Sequence, residues 1–509
     1  MKFTTKATTL AALVLAAGNA LAVNTFWTGA SGDGRWNNSA NWSPAHIPNN
    51  GDAVYIGSNG PVIIGQNEIG VAKSLSCTIE MSVIGNLYVT DTAILAGHTF
   101  MYGTNPGIHA TNIEISGQFE FFNGTLSRYT QSGTTHIASG GSMNVRTSAN
   151  VSVTTFLNVD GRIDINDAVL NVTGDANYPI GFIATAGGTI SINGNSTIHG
   201  NAFSYLASDG TVALTGFQAL PKIDADMKFF NGPYAVLRVE GGCYAQVGNP
   251  AQVAFPSGAL NSGYWYIKDN STLLFPDGRN VTSIDAAGKL ILEGPNSVFH
   301  NINKLNNISG VLSLRAGADL NISQPTGGTL TQQGFIDLAP GSILSVDGSF
   351  SCTPASSITT YLTGMTPGQA GTIYARDQAH LDGYCLAVFD TGFSAPGNDS
   401  AVTIVDTNLG GSGRSGAFAN FQSSNAPGHS NALYDANTAK VTLSCRADLN
   451  NDGYVDDADF VLFVYAYNIL DCTDFNMPYN CPADLNSDAV VDDTDFVFFA
   501  SAYNALLCE

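Results

Sequence analysis

The chain of 509 residues has little charge, and most of the charge that it has is negative. Asp, Glu, Lys and Arg make up 12% of the residues, and 19 Lys and Arg stand against 41 Asp and Glu. A nucleic-acid partner needs a basic surface that neutralises phosphates, so this composition argues against one. After the first residues no apolar run is long enough to cross a bilayer, so we expect no membrane span.

Short catalytic motifs are also missing. The eight histidines form no H-E-x-x-H pair, and the sequence contains neither a G-x-S-x-G elbow nor a phosphate-binding loop. Long helical patterns are absent before the C-terminus, whereas 55 glycines and many Asn, Ser and Thr residues interrupt short apolar stretches. This texture is typical of a chain that is mainly β.

The N-terminal segment 1–22 has the three parts of a secretory signal peptide. Two lysines precede a short apolar stretch, Leu10–Ala17, and Ala20-Leu21-Ala22 is a small-residue cleavage site. We therefore expect cleavage before Val23, with an uncleaved anchor as the alternative. The mature protein is then secreted, extracellular or held on the surface of a bacterial cell.

A glycine-led pattern recurs through the middle of the chain at intervals of roughly 20 to 30 residues. The second and fourth residues after each of eleven glycines are apolar. The glycines are Gly85, Gly117, Gly141, Gly161, Gly188, Gly210, Gly232, Gly263, Gly288, Gly310 and Gly334. The apolar pairs are Leu87/Val89, Phe119/Phe121, Met143/Val145, Ile163/Ile165, Ile190/Ile192, Val212/Leu214, Tyr234/Val236, Trp265/Ile267, Leu290/Leu292, Leu312/Leu314 and Ile336/Leu338.

This alternation predicts strands that bury one face. A recurrence of about 20 to 30 residues is the period of a stacked solenoid, in which one coil cannot bury its apolar face alone. We therefore predict a right-handed parallel β-helix (solenoid) with the apolar pairs inside. A β-sandwich, whose short strands also alternate, is the alternative.

Three of the four tryptophans, Trp27, Trp36 and Trp42, lie close together near the N-terminus. A solenoid needs its open end covered, so we expect these rings to be buried in an N-terminal cap. Stacking of sugars on exposed tryptophans is the alternative interpretation. The segment resembles the start of exported bacterial β-helix and autotransporter-like passenger proteins.

The C-terminal segment, from Arg446 to Glu509, carries thirteen acids and one base, a net charge of −12 (1 − 13). One unit occurs there twice, beginning A-D-L-N-N-D-G-Y-V-D-D-A-D at Ala447 and A-D-L-N-S-D-A-V-V-D-D-T-D at Ala483. Such a concentration of carboxylates attracts cations. A solvated acidic tail is the alternative, but it does not account for two matching copies.

Each copy has the ligand spacing of a calcium loop. Calcium takes six to eight oxygens, and a twelve-residue loop supplies them from positions 1, 3, 5, 7, 9 and 12. In the first copy these positions are Asp448, Asn450, Asp452, the Tyr454 carbonyl, Asp456 and Asp459. In the second copy they are Asp484, Asn486, Asp488, the Val490 carbonyl, Asp492 and Asp495. We therefore predict two Ca²⁺ sites.

The second loop departs from the pattern at Ala489, where the first loop has Gly453. The backbone must turn sharply at this position, and a left-handed conformation costs a residue with a Cβ about 1 kcal/mol. We therefore expect the second site to be weaker than the first. We also expect Val455, the apolar residue of the first loop, to tie the two loops together.

A short helix is predicted after each loop. Each helix is too short to be stable alone, so we expect the two to pack antiparallel. Their apolar faces consist of Phe460, Phe463, Tyr467 and Leu470 in the first copy, and of Phe496, Phe499, Tyr503 and Leu506 in the second.

Four cysteines bracket the two copies: Cys445, Cys472, Cys481 and Cys508. A Cys445–Cys472 bridge fits poorly, because the helix between loop and cysteine spans roughly 20 Å and a disulfide needs Cα atoms within roughly 7 Å. Antiparallel helices instead bring the end of each helix beside the start of the other loop. We therefore predict the bridges Cys472–Cys481 and Cys445–Cys508.

Together these features, over the segment 445–509, resemble a type I dockerin of the cysteine-bracketed (GC-type) form. The resemblance implies that this module anchors its parent chain to a cohesin partner, often within polysaccharide-degrading assemblies. In that family loop positions 10 and 11 contact the partner. Here those positions are Asp457-Ala458 and Asp493-Thr494, in place of the common hydroxyl pair.

The sequence thus predicts five segments: a signal peptide (1–22), a Trp-rich cap (23–60), β-helix repeats (61–350), a closing β region (351–444) and a small all-α, calcium-binding dockerin-like module (445–509). Their combination favours a non-catalytic scaffold or adhesion protein, docked through the module to a cohesin-like or other extracellular protein, with polysaccharide as a further partner.

The alternative function is a dockerin-borne polysaccharide-degrading enzyme, a glycoside hydrolase or a lyase. Such an enzyme needs paired carboxylates on neighbouring coils. Between the paired apolar residues of the repeats the acids are Glu120, Asp164 and Asp337, which lie on coils that are not adjacent. A pair contributed by turns would not be found by this comparison, so the alternative stays open.

Overall fold

A computed structural model describes residues 23–505 except 130–132, 173–181, 201–203, 224–227, 249–252, 255–257, 276–279, 325–326, 392, 394–399, 408–412, 427–428, 445, 451–453, 479–480 and 487. The predicted signal peptide lies outside the described residues, as do Cys445, Asp452, Leu506 and Cys508. The chain forms two compact units. The first comprises Met1–Ala213 and Pro221–Phe229, and the second comprises Leu214–Leu220 and Phe230–Glu509.

The described residues are mainly β. The strands up to residue 231 are β1 (Asn24–Trp27), β2 (Trp42–Ser43), β3 (Ala53–Ile56), β4 (Val62–Ile64), β5 (Ile69–Ala72), β6 (Ser74–Cys77), β7 (Met81–Val83), β8 (Asn86–Leu95), β9 (His98–Met101), β10 (Gly107–Ile115), β11 (Gln118–Phe121), β12 (Gly124–Arg128), β13 (Thr134–Ile137), β14 (Ser142–Val145), β15 (Asn150–Val153), β16 (Phe156–Val159), β17 (Arg162–Asn166), β18 (Val169–Asn171), β19 (Phe182–Thr185), β20 (Thr189–Asn193), β21 (Thr197–His199), β22 (Tyr205–Ser208), β23 (Thr211–Thr215), β24 (Lys222–Ile223) and β25 (Lys228–Asn231).

The later strands are β26 (Val236–Glu240), β27 (Tyr244–Val247), β28 (Val253–Ala254), β29 (Ala259–Ile267), β30 (Thr272–Leu274), β31 (Ser283–Glu293), β32 (Val298–Phe299), β33 (Asn307–Ile308), β34 (Val311–Arg315), β35 (Asp319–Ser323), β36 (Thr329–Gln332), β37 (Phe335–Leu338), β38 (Ile343–Asp347), β39 (Ser349–Cys352), β40 (Ser357–Leu362), β41 (Thr372–Ala375), β42 (Gln378–Leu381), β43 (Tyr384–Phe389), β44 (Ser400–Asp406), β45 (Gly413–Gly416), β46 (Asn420–Ser424), β47 (His429–Tyr434) and β48 (Thr438–Ser444). Two α-helices follow, α1 (Asp457–Tyr467) and α2 (Asp493–Ala505), and short 3-10 helices lie at Ser39–Asn41 and His300–Ile302.

In the first unit, strands of successive coils pair in parallel and form three ladders. One ladder runs β9-β11-β14-β17-β20. The others run β10-β13-β16-β19-β22 and β10-β12-β15-β18-β21-β24. Because each coil contributes to every ladder, with the long strand β10 serving two of them, the inward side chains of all three ladders meet inside the coil.

The second unit follows the same plan. Its ladders run β26-β29-β31-β34-β37-β40-β43-β46, β33-β36-β39-β42-β45 and β35-β38-β41-β44. Parallel stacking thus continues past residue 350, and β48 and β47 then add to β44 in antiparallel fashion. These ladders confirm the predicted parallel β-solenoid over the β-sandwich.

The apolar pairs predicted for the interior are buried in ten of the eleven repeats. The pair after Gly232 is wrong, because Tyr234 is 87% exposed. The strand begins later than expected, at Val236, after a turn in which the Ala235 N–H donates to the Gly232 carbonyl. Leu237 and Val239 are buried and align with the inward Trp265 and Ile267 of the next coil, so the inward pair lies three residues later than predicted.

Close packing of successive coils explains why glycine leads the strands. A Cβ at Gly310 would lie 2.2 Å from the Asp285 and Gly288 carbonyl oxygens, and a Cβ at Gly334 would lie 2.2 Å from the Gly310 carbonyl oxygen. No side chain can occupy that space without moving the backbone of the preceding coil. The glycine pattern read from the sequence is therefore a pattern of backbone contacts.

The three N-terminal tryptophans are buried, as the cap interpretation predicts. Trp42 packs edge to face on both Trp27 and Trp36, with ring centroids 4.9 Å apart in each pair. The Trp42 indole N–H also donates to the Trp36 carbonyl at 2.7 Å. Because the rings cover one another, they are not available for stacking on sugars.

Among the described residues, no helix combines the length and the apolar character needed to cross a membrane. Four cysteines of the two units, Cys77, Cys243, Cys352 and Cys385, are buried and carry free thiols. Burial raises the pKa of Cys77 and of Cys243 to about 11, so these thiols stay protonated at neutral pH.

Candidate metal centre

The two C-terminal helices pack antiparallel through their aromatic side chains. Phe463 and Phe499 stack with centroids 4.9 Å apart, and Phe460 lies 6.0 Å from Tyr503. Phe460, near the start of α1, thus contacts a residue near the end of α2, as expected for two antiparallel helices. Of the predicted faces, Phe463 and Phe499 are fully buried, whereas Leu470 is half-exposed and lies beyond the end of α1.

Asp459 and Asp495, at position 12 of the two loops, are completely buried. The Asp459 oxygens accept the N–H groups of Asn450 at 2.9 Å and Asp456 at 3.0 Å. In the second loop, Asp495 accepts the N–H groups of Asn486 and Asp492, each at 2.9 Å. The two loops thus place equivalent residues in equivalent contacts.

Aspartates of both loops also cap the helices that follow the loops. Asp456 is the N-cap of α1, and it forms a capping box with Asp459. In the second loop, Asp492 accepts the Thr494 N–H at 2.7 Å, as Asp456 accepts the Ala458 N–H at 2.8 Å. A capping box satisfies N–H groups that a helix leaves unpaired at its start. The D-x-x-D spacing therefore has a helix-capping role that the ligand assignment alone did not include.

The second loop brings three of its predicted ligands together. One carboxylate oxygen each of Asp484, Asp488 and Asp495 lie within 4.8 Å of one another. Two oxygens bound to one calcium ion at roughly 2.3 to 2.6 Å can be separated by at most about 5 Å. The three carboxylates therefore fit a single hard cation, and their oxygen-only chemistry suits Ca²⁺ better than a softer metal.

Turns of the loop backbone hold these carboxylates in place. Asp484 accepts the N–H groups of Asp488 at 3.1 Å and Ala489 at 2.8 Å. The Asn486 amide oxygen accepts the Asp488 N–H at 2.9 Å, and Asp488 accepts the Val490 N–H at 3.0 Å. The loop is thus wrapped around its own acidic side chains.

The first loop is described only in part, because Asp452 lies outside the described residues. Asp448 is buried, like Asp459, whereas Asn450 and Asp456 are exposed. The Tyr454 side chain is exposed, and the predicted ligand there is its carbonyl. Positions 1 and 12 are therefore both buried in this loop, whereas in the second loop Asp495 is buried and Asp484 is only partly buried.

Ala489 has the strained backbone that the sequence predicts. Its φ is +72°, in the left-handed region that disfavours a residue with a Cβ. The energetic cost expected for the second loop thus has a visible cause.

The backbone of the second loop pairs with the segment that follows α1, and the link expected from Val455 stays a prediction, although Val455 and Val491 are buried in one core. Val491, the equivalent of Val455, donates its N–H to the Leu470 carbonyl at 2.7 Å, and Cys472 donates to Ala489 at 3.2 Å. Antiparallel helices place the second loop beside the end of α1, so the loop pairs with the segment that follows α1.

The predicted Cys472–Cys481 bridge is confirmed, with Cα atoms 5.4 Å apart. It joins the segment after α1 to the start of the second loop. The predicted Cys445–Cys508 bridge involves two residues outside the described part of the chain.

Sequence analysis missed two tyrosine–aspartate hydrogen bonds between the helices. The Tyr467 hydroxyl donates to Asp493, and the Tyr503 hydroxyl donates to Asp457. Each bond raises the pKa of its tyrosine, because the neighbouring carboxylate disfavours a phenolate. The same spacing between aspartate and tyrosine in both copies was the available signal.

No protein-family model matches the chain, and a search of curated proteins found no match either.

Proposed function

We propose that the C-terminal module binds two calcium ions and docks the β-solenoid onto a protein partner outside the cell. The convergence of Asp484, Asp488 and Asp495 within 4.8 Å is the observation that carries this proposal. The equivalent hydrogen bonds of Asp459 and Asp495 extend the proposal to the first loop.

Burial of acids supports the need for cations. Asp448, Asp459 and Asp495 are almost completely buried in a segment with thirteen acids and one base. The base, Arg446, donates to the carbonyl oxygens of Leu485 at 2.7 Å and Ala426 at 2.9 Å. A buried carboxylate is costly unless it is paired or coordinates a metal. Two divalent ions would offset much of the charge that the backbone N–H groups only partly compensate.

Exposed apolar residues on both helices support docking. Val461 on α1 and Val497 on α2 are 65% and 67% exposed, and Tyr465 and Phe498 are more than half exposed. Exposed apolar side chains of this kind are typical of protein-binding surfaces. The proposed occupant is a cohesin-like protein, in keeping with the resemblance of the loops to a type I dockerin.

The remaining parts of this proposal come from the sequence. The signal peptide sends the chain out of a bacterial cell, and the solenoid serves as a non-catalytic scaffold or adhesion element. The second candidate is a polysaccharide-degrading enzyme carried by the same module.

Calcium titration of the full-length protein tests the metal sites. Calorimetry on chelator-treated protein should show two sites, one of which is lost in Asp459→Ala and the other in Asp495→Ala. Asp474→Ala, which removes an exposed acid between the two copies, is the matched control and should leave both sites intact. Wild-type protein that takes up no calcium at millimolar concentration would contradict the proposal.

Docking is tested separately with a panel of purified cohesin-type domains. Binding should require calcium, and Val461→Lys with Val497→Lys should abolish it while both calcium sites remain. If those substitutions leave binding intact, the exposed helix faces are not the docking surface.

A further inference from the structure

We infer that a groove on the second unit binds a neutral polysaccharide chain, at a site separate from the C-terminal module. The groove has a volume of about 510 Å³, and its lining includes Arg315, Asp337, Tyr361, Thr363, Asp390 and Asn425. Binding sites for organic ligands typically measure about 300 to 1,000 Å³ and combine apolar surface with a few polar groups. We call this site the Tyr361 groove.

Three successive coils build the apolar floor of the Tyr361 groove. Tyr361 pairs in register with Val388 on the next coil, and Ala339 lies on the preceding coil, one residue after Leu338. Small neighbours on both sides leave the ring 42% exposed. An exposed aromatic ring with a polar tip suits the apolar C–H face of a sugar ring, whose edges are polar.

Polar groups surround this floor with both donors and acceptors. The Arg315 guanidinium can only donate, the carboxylates of Asp337 and Asp390 accept, and the Asn425 amide does both. Arg315 is oriented by a 3.0 Å hydrogen bond from its Nε to the Ser313 hydroxyl. Sugar hydroxyls both donate and accept, so a ring with several hydroxyls can satisfy all of these groups at once.

Water is partly excluded from one side of the groove. Burial raises the pKa of Asp337, although a hydrogen bond with Thr359 and the charge of Arg315 act in the opposite direction. A ligand hydroxyl that donates to this carboxylate would replace lost hydration, and the low local dielectric strengthens such a hydrogen bond.

The charge balance of the Tyr361 groove selects against other ligand classes. One guanidinium faces two carboxylates, so phosphate, sulfate and uronate groups would be repelled. Within the described residues, the acids that converge as metal ligands are Asp484, Asp488 and Asp495, and none of them lines this groove. A neutral, hydroxyl-rich chain fits both the floor and the polar groups.

Strand register argues that the groove binds and does not hydrolyse. Asp337 aligns with Thr359 and then with Leu386, whereas Asp390 lies two coils away and four residues further on. At strand spacing this offset is roughly 16 Å between Cα atoms. Glycosidases need their two carboxyl groups about 5 to 9.5 Å apart. The pair is too widely separated for that chemistry.

Binding of defined oligosaccharides to the full-length protein tests the inference. The probes are cellohexaose, xylohexaose and mannohexaose, with oligogalacturonate as the anionic comparison, measured by titration calorimetry. We expect at least one neutral probe to bind. Tyr361→Ala should weaken that binding about tenfold, by loss of the stacked ring, and Tyr361→Phe should retain it. Phe335→Ala, an exposed ring of the same ladder outside the groove, is the matched control and should bind like wild type.

The expected binding persists in excess chelator, which separates this site from the calcium-dependent module. Failure of all three neutral probes, or unchanged binding by a folded Tyr361→Ala variant, would overturn the inference. A preference for oligogalacturonate would overturn the assignment to a neutral chain. Release of reducing ends that Asp337→Asn abolishes would overturn the assignment to binding alone, because the groove would then be catalytic.

Discussion

The coils of the solenoid and the C-terminal module bury opposite kinds of side chain. On neighbouring coils, Leu314 and Leu338 face the interior with almost no exposure. In the module, Asp448, Asp459 and Asp495 are buried to the same extent. Both regions are built by repetition. The apolar side chains of a coil are buried against the next coil, whereas each loop of the module folds around its own carboxylates.

This difference indicates where the folding stability of each region comes from. Stacked apolar coils are stabilised by burial of surface, which does not require a ligand. Under the proposed calcium binding, a loop that buries acids would be stabilised in proportion to the logarithm of the free calcium concentration once that concentration exceeds the dissociation constant. The proposal therefore predicts that the stability of the coils is independent of calcium and that the stability of the module varies with it.

The test with the largest expected effect places a buried acid, like those of the module, inside a coil of the solenoid. Leu314→Asp places a carboxylate without a cation in the interior of the second unit, and it should cost more than about 4 kcal/mol. Denaturant unfolding measures the loss. Asp164→Ala changes an outward position, where a largely covered carboxylate pairs with the exposed Arg162, and it should cost no more than about 1 kcal/mol.

Ser313, the residue before Leu314, provides a second control on the same coil. Ser313 lies between the inward Leu312 and Leu314, where alternation predicts an outward side chain, yet it is buried and its hydroxyl accepts a hydrogen bond from Arg315. Ser313→Ala should therefore cost about 1 kcal/mol. Equal losses for Leu314→Asp and Asp164→Ala would contradict the assignment of inward and outward positions.

The second way is to remove the cations from the module. Chelation of the full-length protein should lower the protection of α1 and α2 amides against hydrogen exchange by about 3 kcal/mol, if calcium had been present at about 100 times its dissociation constant. Amides of the solenoid ladders, such as those of β37 and β40, serve as the internal control and should be unaffected. Unchanged exchange in both helices would show that the buried acids need no metal.

A third test sharpens the comparison between the two loops. Ala489→Gly removes the Cβ from a residue with φ of +72°, and it should stabilise the second site by about 1 kcal/mol. This corresponds to roughly fivefold tighter calcium binding, measured by calorimetry, while the first site stays as it was. Weaker binding at the second site would mean that the methyl group contributes to packing in this turn.

The smallest expected effect concerns a charge on the outer face of the first unit. His136 lies 2.7 Å from Glu114 and 2.9 Å from Asp160, on neighbouring coils. Partial burial lowers its pKa, but the hydrogen bonds and charges of the two acids more than offset this, so the pKa is raised. The group is partly exposed, and its contribution should stay under about 1 kcal/mol.

The sign of this effect follows from the raised pKa. The folded protein holds the proton more tightly, so the stabilisation is fully present below the unfolded histidine value of about 6.5 and is lost as pH rises through the folded pKa. His136→Gln should therefore lower the melting temperature slightly at pH 5.5 and less at pH 8. A larger drop in melting temperature at pH 8 than at pH 5.5 would contradict the raised pKa of His136.

Much of the architecture was predictable because its cause is local. Period-2 alternation and the glycine spacing both report contacts that recur in every coil, so they appear in the sequence as a pattern. The register after Gly232 was not predictable, because a turn there delays the strand and Ala235 stands at the start of the coil. The Tyr361 groove was missed for a related reason. Its lining residues come from five successive coils, and each is ordinary within its own repeat.

In the C-terminal module, too, local features were predictable from the sequence, whereas contacts between the two copies were not. Ligand spacing within each loop identified Asp484, Asp488 and Asp495, which the fold brings together. The hydrogen bonds of Tyr467 and Tyr503 join different copies, so they depend on how the helices pack. Pairing of Val491 with Leu470 likewise follows from the antiparallel arrangement, which puts the second loop beside the end of α1.

The carbonyl contacts of Gly310 and Gly334 have a consequence for how such a chain can change in length. The intervals between the repeat glycines are unequal, yet a Cβ at either of these two positions would lie 2.2 Å from a carbonyl oxygen of the preceding coil. Insertions are therefore absorbed in the turns, where coils can bulge outward, and are excluded from the glycine position. A whole additional coil, cut from one such glycine to the next, would meet the same carbonyl surface at both ends, so the solenoid could be lengthened by duplication without redesign of any interface.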